Sequence, residues 1–198
     1  MCHAFHSDST FYELLSNIDE STAREAQLAG CPWCAGVLHS ACYPRKPRGI
    51  RSALDEGYFS RWSFCCASRE CRRRTTTPSV RFLGRKVYLG VIVVLTTALH
   101  NGLTPKRREQ LIEYLDIPGQ TLWRWFEWWR ETFAESACWR AERGRFVPPV
   151  EARLLPDALL GRLTGKDLCA RVLQMLVLLA PITTCSCSLR VRINPQNM

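Results

Sequence analysis

The sequence is short of acid, of long apolar runs and of repetition, and each shortage removes a class of protein. Asp and Glu number 18 against 27 Lys and Arg, a formal net charge of +9 with an isoelectric point near 9.2. That balance favours polyanionic partners and says nothing about fold. The surplus is mostly arginine, which suits bidentate phosphate and guanine contacts better than lysine does. The longest apolar run, VYLGVIVVLTTAL from Val87 to Leu99, is too short to cross a bilayer, which takes about 20 residues. It is flanked by Arg85 and Lys86 on one side and His100 on the other, and reads as a buried core helix. Residues 1–30 carry Asp8, Glu13, Asp19, Glu20 and Glu25 and no charged-then-apolar pattern, so no secretion signal is read there. No internal repeat or low-complexity tract appears. Catalytic constellations are missing too. A metal-dependent nuclease centre needs three spaced carboxylates on a mixed sheet, whereas after Pro149 there are only Glu151, Asp157 and Asp167 on apolar helical stretches. A non-enzymatic, cytoplasmic protein without a membrane span is expected.

What the chain has in excess is cysteine. There are 11, and an odd number does not suit a complete disulfide framework. In a cytosolic chain, clustered thiols point to metal. Cys31-Pro-Trp-Cys34 can turn two sulfurs toward one ion across a tight turn, and Cys65-Cys66 and Cys71 offer the second half. Cys31, Cys34, Cys66 and Cys71 are the expected zinc ligands, with Cys65 as the alternative third. Phe64, two residues before Cys66, suits an aromatic strand running into the second knuckle. The second pair is spaced by four intervening residues rather than the usual two. A redox CxxC would want a βαβ setting, which is absent. Ordinary buried thiols would not cluster with Pro, Gly and Arg. His39 and Cys42 read as bystanders, Cys2, His3 and His6 as an incomplete set, and Cys138 and Cys169 as core.

Arg72, Arg73 and Arg74 follow Cys71 directly, then come Arg81, Arg85 and Lys86, with no acid in residues 71–86. Arg45, Lys46, Arg48 and Arg51 add a second group. One or two arginines can neutralise the −2 of a zinc ion held by four thiolates, and the rest are expected to contact phosphate.

The fold class expected is mainly α, with a small four-cysteine zinc ribbon of short strands near the N-terminus, a helix-turn-helix-like three-helix unit and C-terminal helices. Residues 1–30 form a helical segment, in which Phe11, Leu14, Leu15 and Ile18 make one stripe and Asp19 or Ser21 caps a second helix ending before Gly30. Residues 31–75 form the ribbon, with strand pieces in 58–64. Within 80–140, helices are expected over about 86–100, from Thr104 to about Leu115, and, after Ile117-Pro118-Gly119, from Gln120 to about Cys138. Leu122, Phe126, Trp129 and Phe133 make the buried face of the last. Gln120, Thr121 and Arg124 face outward at its start, where side chains can reach base edges in a major groove. Trp123, Trp125 and Trp128 exceed what one helix needs, and fit either burial or a protein contact. Residues 147–150 are a linker, 150–182 a helical pair, and 183–198 an irregular tail.

CPWC, then FCC…CRRRTT, then TLWRWFEWW resembles the zinc-ribbon plus helix-turn-helix proteins of bacterial mobile elements, such as the short DNA-binding protein encoded beside a transposase. A closer likeness is to a group of bacterial proteins carrying CPWC, YPRKPRG, CRRRTT and PSVRFLGRKVYLG. The likeness covers about residues 30–150. It implies a zinc-dependent protein that recognises element ends or represses its own promoter, with double-stranded DNA, a transposase or recombinase, or a second copy of itself as partners. A zinc-dependent adaptor using the tryptophan-rich helix, and an RNA-binding zinc module, are the competing readings.

Overall fold

The computed structural model describes residues 9–45, 54, 56–83, 89–100, 104–185, 188 and 190–193. The expectations for Cys2, His3, His6, Lys46, Arg48, Arg51, Arg85 and Lys86 lie outside the described residues. The protein is mostly helical with a small antiparallel sheet. No helix among the described residues is long and apolar enough to cross a membrane.

Helix α1 runs unbroken from Ser9 to Ala29. The stripe of Phe11, Leu15 and Ile18 is buried, and the stripe continues through Thr22, Ala23 and Ala26. The expected division into two helices is therefore corrected. Asp19 caps nothing, because its carboxylate is turned inward and spent on other groups. Gly30 ends the helix in the left-handed conformation, with φ of 77°. A Cβ there would stand 3.0 Å from the Ala35 carbonyl oxygen, so the residue that hands the chain to Cys31 has little room to be anything else.

A three-stranded sheet follows, ordered β1 (Leu38–Ser40), β4 (Ser63–Cys66), β5 (Arg74–Thr76), with β2 (Tyr43–Pro44) and β3 (Ser60–Arg61) paired separately. All pairings are antiparallel. Leu38 stands opposite Cys66, and His39, Cys65 and Arg74 form one cross-strand row. Strand alternation then decides between the neighbouring thiols. Phe64 and Cys66 share the buried face with Leu38, and Cys65 takes the other.

The helical body comprises α2 (Gly90–His100), α3 (Pro105–Leu115), α4 (Gly119–Glu127), α5 (Ala137–Glu142), α6 (Asp157–Arg162) and α7 (Leu168–Leu179). The single helix expected from Gln120 to Cys138 is replaced by α4, a π-helical stretch over Trp128–Phe133, and α5. The wider turn is closed by the Ala134 N–H on the Trp129 carbonyl, 3.3 Å. It leaves both Trp129 and Phe133 fully buried. The Trp129 indole N–H donates to Thr97 Oγ1 at 3.0 Å, so this inward ring keeps its polar atom satisfied. Ser136 and Asp167 cap α5 and α7 by accepting from the N–H groups of Trp139 and Ala170.

Helix α1 threads the whole core. Phe11, Leu15 and Ile18 pack with α2, Trp129, Phe133 and the α6–α7 pair. Tyr12 joins Tyr58, Ile92, Val93, Leu122, Trp125 and Phe126. Ala23 and Ala26 lie against Leu38, Phe64, Cys31 and Cys66. The expected C-terminal pair thus shares one core with the N-terminal helix. The tail is also tied down at its start, because Thr183 is buried and its Oγ1 accepts from the Ser79 N–H at 3.0 Å.

At the centre of these contacts lie two buried guanidiniums. The Asp19 carboxylate accepts from Ser79 Oγ (2.5 Å), the Val80 N–H (2.8 Å) and Arg81 Nε (2.8 Å). Arg81 also donates to the carbonyls of Tyr58 and Ser60. Arg61 donates to the Thr77 carbonyl at 2.6 Å and reaches Thr183. Among the described residues it has no carboxylate in ion-pair reach. Burial lowers its affinity for the proton, and the Asp19 charge opposes that. Asp19→Asn keeps the shape and removes the one charge that offsets both cations. Urea unfolding of this variant is expected to show a loss of about 3–5 kcal/mol, the cost of a buried charge left without its partner; a loss below about 1 kcal/mol would contradict this role for Asp19.

Candidate metal centre and its basic surround

The sulfur atoms of Cys31, Cys34, Cys66 and Cys71 all lie within 4.8 Å of one another. Cys31 Sγ is 3.7 Å from Cys71 Sγ, and Cys34 Sγ is 3.4 Å from Cys66 Sγ. The arrangement can hold a metal ion, and its donors are four thiolate-forming groups.

Two tight turns present these atoms. In the first, the Ala35 N–H donates to the Cys31 carbonyl (2.8 Å) and the Cys31 N–H to the Gly36 carbonyl (2.9 Å). In the second, the Ser68 carbonyl accepts from both Cys71 (3.2 Å) and Arg72 (3.0 Å), so the four residues between Cys66 and Cys71 are taken up by one helix-like turn. The spacing that looks wide in sequence is thereby closed in space. A matching feature follows each second cysteine. Ala35 and Arg72 have φ of 57° and 50°, the left-handed region that costs a non-glycine residue roughly 1–2 kcal/mol. Such strain persists where surroundings over-determine it. Gly36 adds a steric observation: a Cβ there would sit 3.3 Å from the sulfurs of both Cys34 and Cys66. The backbone is drawn against the thiols as closely as a side-chain-free residue allows.

Electrostatics at the site pull in both directions. Burial raises the Cys31 thiol, but the N–H groups of Trp33 and Cys34 and the neighbouring Cys71 lower it further, to about 7. At Cys34 the Gly36 N–H lowers the pKa, but Cys66 and burial raise it further, for a net rise. Burial pushes Cys66 up. At Cys71 the Arg73 N–H lowers the pKa, but burial and the thiols of Cys34 and Cys31 outweigh it and the net shift is again upward. Four ionisable sulfurs cannot all be anions at this separation without a cation between them. A metal ion would supply that cation and displace the protons.

The core beneath is too small to hold the module by itself. Among the described residues, its large buried apolar side chains are Leu38 and Phe64, beside Ala23 and Ala26, with Trp62 packed at the edge. Each large side chain contributes about 1.5–3 kcal/mol on burial, while ordering every residue of the turns costs about 1–2 kcal/mol.

The other candidates fall into separate places. Cys65 lies across the strand from the group, with its thiol 3.7 Å from the Arg72 carbonyl. His39 is exposed, and Cys42 lies against Ser40 and the Ser63 carbonyl. Cys138 is half-buried, its thiol on the Leu178 carbonyl. Arg72, Arg73 and Arg74 are exposed at the exit of the second turn, and none has a carboxylate within ion-pair distance among the described residues. Arg45 is half-buried on the Tyr43 ring.

Arg81 overturns its expectation. It is 1% exposed and committed to Asp19, so it is unable to reach phosphate without unfolding. Thr121 is likewise buried, because it shares a helix face with Trp125 four residues on. Gln120 and Arg124 are exposed on α4. Of the surplus tryptophans, Trp125 is buried, Trp128 is half-buried against Trp129 and Phe133, and Trp123 is 55% exposed. In the sequence Asp19 stands out only as a helix-cap candidate and Arg61 not at all, because their partners lie far along the chain, and the pairing of Trp33 and Tyr43 with arginines is equally hidden. Adjacent aromatic and arginine residues at Tyr43–Arg45 were the one local signal.

Compared with family models, curated proteins and solved structures, the chain matches none.

Cys66→Ser is expected to abolish metal retention after dialysis, and Cys65→Ser to leave it near the wild-type level, read by elemental analysis of purified protein. The reverse order would mean that the neighbouring thiol supplies the third ligand.

Proposed function

We propose that the protein is a non-enzymatic, zinc-dependent DNA-binding protein. The observation that carries the reading is the triple arginine at the exit of the thiol cluster, exposed and without carboxylate partners among the described residues. A polyanion supplies what those guanidiniums lack. Zinc is favoured for the ion because four soft thiolate donors in a closed set suit it, whereas calcium and magnesium want oxygen.

A second element supports DNA in particular. Helix α3 ends at Leu115, Asp116 turns with φ of 50°, and α4 starts at Gly119 after Pro118. Two helices joined by so short a turn have the connectivity of a helix-turn-helix. In this reading α4 is the recognition helix, and Gln120 and Arg124 are its base-reading side chains, with Arg124 suited to guanine. Thr121 is left out, being buried. The resemblance of CPWC, CRRRTT and TLWRWFEWW to mobile-element proteins supports a role beside a transposase or recombinase, at element ends or at a promoter.

The competing adaptor reading draws on Trp123, which is exposed beside Arg124 on α4. One experiment separates the two. Ala at Arg72, Arg73 or Arg74 is expected to weaken binding to every duplex alike and lower the salt slope by about one unit each. Arg124→Ala is expected to cost about 1–3 kcal/mol on a selected site and far less on scrambled DNA in competition binding. If Arg124→Ala weakens both equally, α4 does not read bases and its exposed tryptophan points to a protein partner.

A further inference from the structure

The outer side of the thiol module carries more than charge. Trp33 stands between two of the clustered cysteines and is 43% exposed, although its indole is among the largest apolar groups a surface can show. The Arg73 guanidinium lies 5.4 Å from its ring centroid. Tyr43, on β2, has the guanidiniums of Arg45 and Arg74 at 4.8 and 5.8 Å, and Arg45 donates to its hydroxyl at 3.1 Å. Arg74 belongs to the same cross-strand row as exposed His39. Arg73 and Arg74 are consecutive, so the two ring–guanidinium groups meet where the second turn enters β5. In residues 31–45 and 57–83, Glu70 is the only acid.

Phosphate contact alone does not require the rings. A duplex hides the faces of its bases within its own stack, so Trp33 would gain nothing from it beyond surface contact. An unpaired strand offers base faces and phosphates together, which is what aromatic platforms edged with arginine use. Stacking is also insensitive to sequence, because every base has a π-face.

We propose that this face of the thiol module binds single-stranded nucleic acid, with bases stacking on Trp33 and Tyr43 and phosphates held by Arg72, Arg73 and Arg74. The proposal rests on the nucleic-acid reading above and narrows it for this face. The duplex-reading role of α4 is separate from it.

The test uses the metal-loaded full chain and three labelled probes of equal length: oligothymidylate, oligouridylate and a mixed-sequence duplex. Anisotropy titrations are run on wild type, Trp33→Ala, Trp33→Phe and Tyr43→Ala, with metal content measured on each. Wild type is expected to bind both single strands with quenching of tryptophan emission. Trp33→Ala is expected to lose roughly five- to 150-fold in affinity for the single strands, as aromatic stacking is lost, with less than about a two-fold change on the duplex. Trp33→Phe keeps a ring and is expected to recover most of the loss while retaining metal, which separates loss of stacking from loss of fold. Equal affinity for the thymidylate and uridylate probes supports recognition by stacking and phosphate alone. A Trp33→Ala effect of the same size on duplex and single strand overturns the proposal, as does no effect on either. Tight duplex binding with no single-strand binding overturns it and leaves the DNA-binding reading standing. Failure of wild type to bind any of the three overturns both.

Discussion

Asp19 takes a charge into the interior of the protein, and the chain around it is arranged to keep it there. Its carboxylate joins the middle of α1 to the segment Ser79–Arg81, and through Arg81 to the carbonyls of Tyr58 and Ser60. Ser79 continues the connection to Thr183 at the far end of the helical body. Segments from four parts of the sequence are thus fixed by one anion. Breaking the ion pair from either side leaves a buried charge that a low-dielectric interior does not tolerate. The orientation of the thiol module on the helices follows from this junction, because β3 supplies Arg61 and Ser60 while α1 supplies both Asp19 and the Ala23–Ala26 surface under Phe64.

The thiol cluster is the second constraint, and it is local where the first is long-range. Two turns, each followed by a left-handed non-glycine residue, bring the four sulfurs together over a core with few apolar atoms. A metal ion held by the four sulfurs would offset the strain and the mutual repulsion in one step. The consequence for function is geometric. The second turn that positions Cys71 also projects Arg72, Arg73 and Arg74, so in this account metal binding and presentation of the basic face are one event.

Some of this was readable from sequence for definite physical reasons. Ligand pairs must be near in sequence to share a turn, so Cys31-Pro-Trp-Cys34 announced itself. Phe64 pointed to Cys66 because residues two apart share a strand face. The stripe of Leu122, Phe126, Trp129 and Phe133, which runs from α4 into the π-helical stretch, marks the buried side, and all four are buried. Other features were hidden. Arg81 sits in a run of cations, and its partner Asp19 is 62 residues away, a separation at which local pattern is silent. The π-helical stretch after Glu127 interrupts a period that looks continuous in the letters. Thr121 faces inward because the buried stripe also includes Trp125, which widens it past the narrow seam that the larger side chains suggest. The letters of α1 suggest two helices because an acid in mid-helix resembles a cap when its partners are distant in sequence.

The central claim is that Cys31, Cys34, Cys66 and Cys71 together hold one zinc ion, and X-ray absorption at the zinc edge tests it most directly on protein purified without added metal. The account predicts about one zinc per chain, with a first shell of four sulfurs at about 2.3 Å. A folded, reduced protein free of zinc, or a shell containing nitrogen or oxygen in place of sulfur, would contradict it.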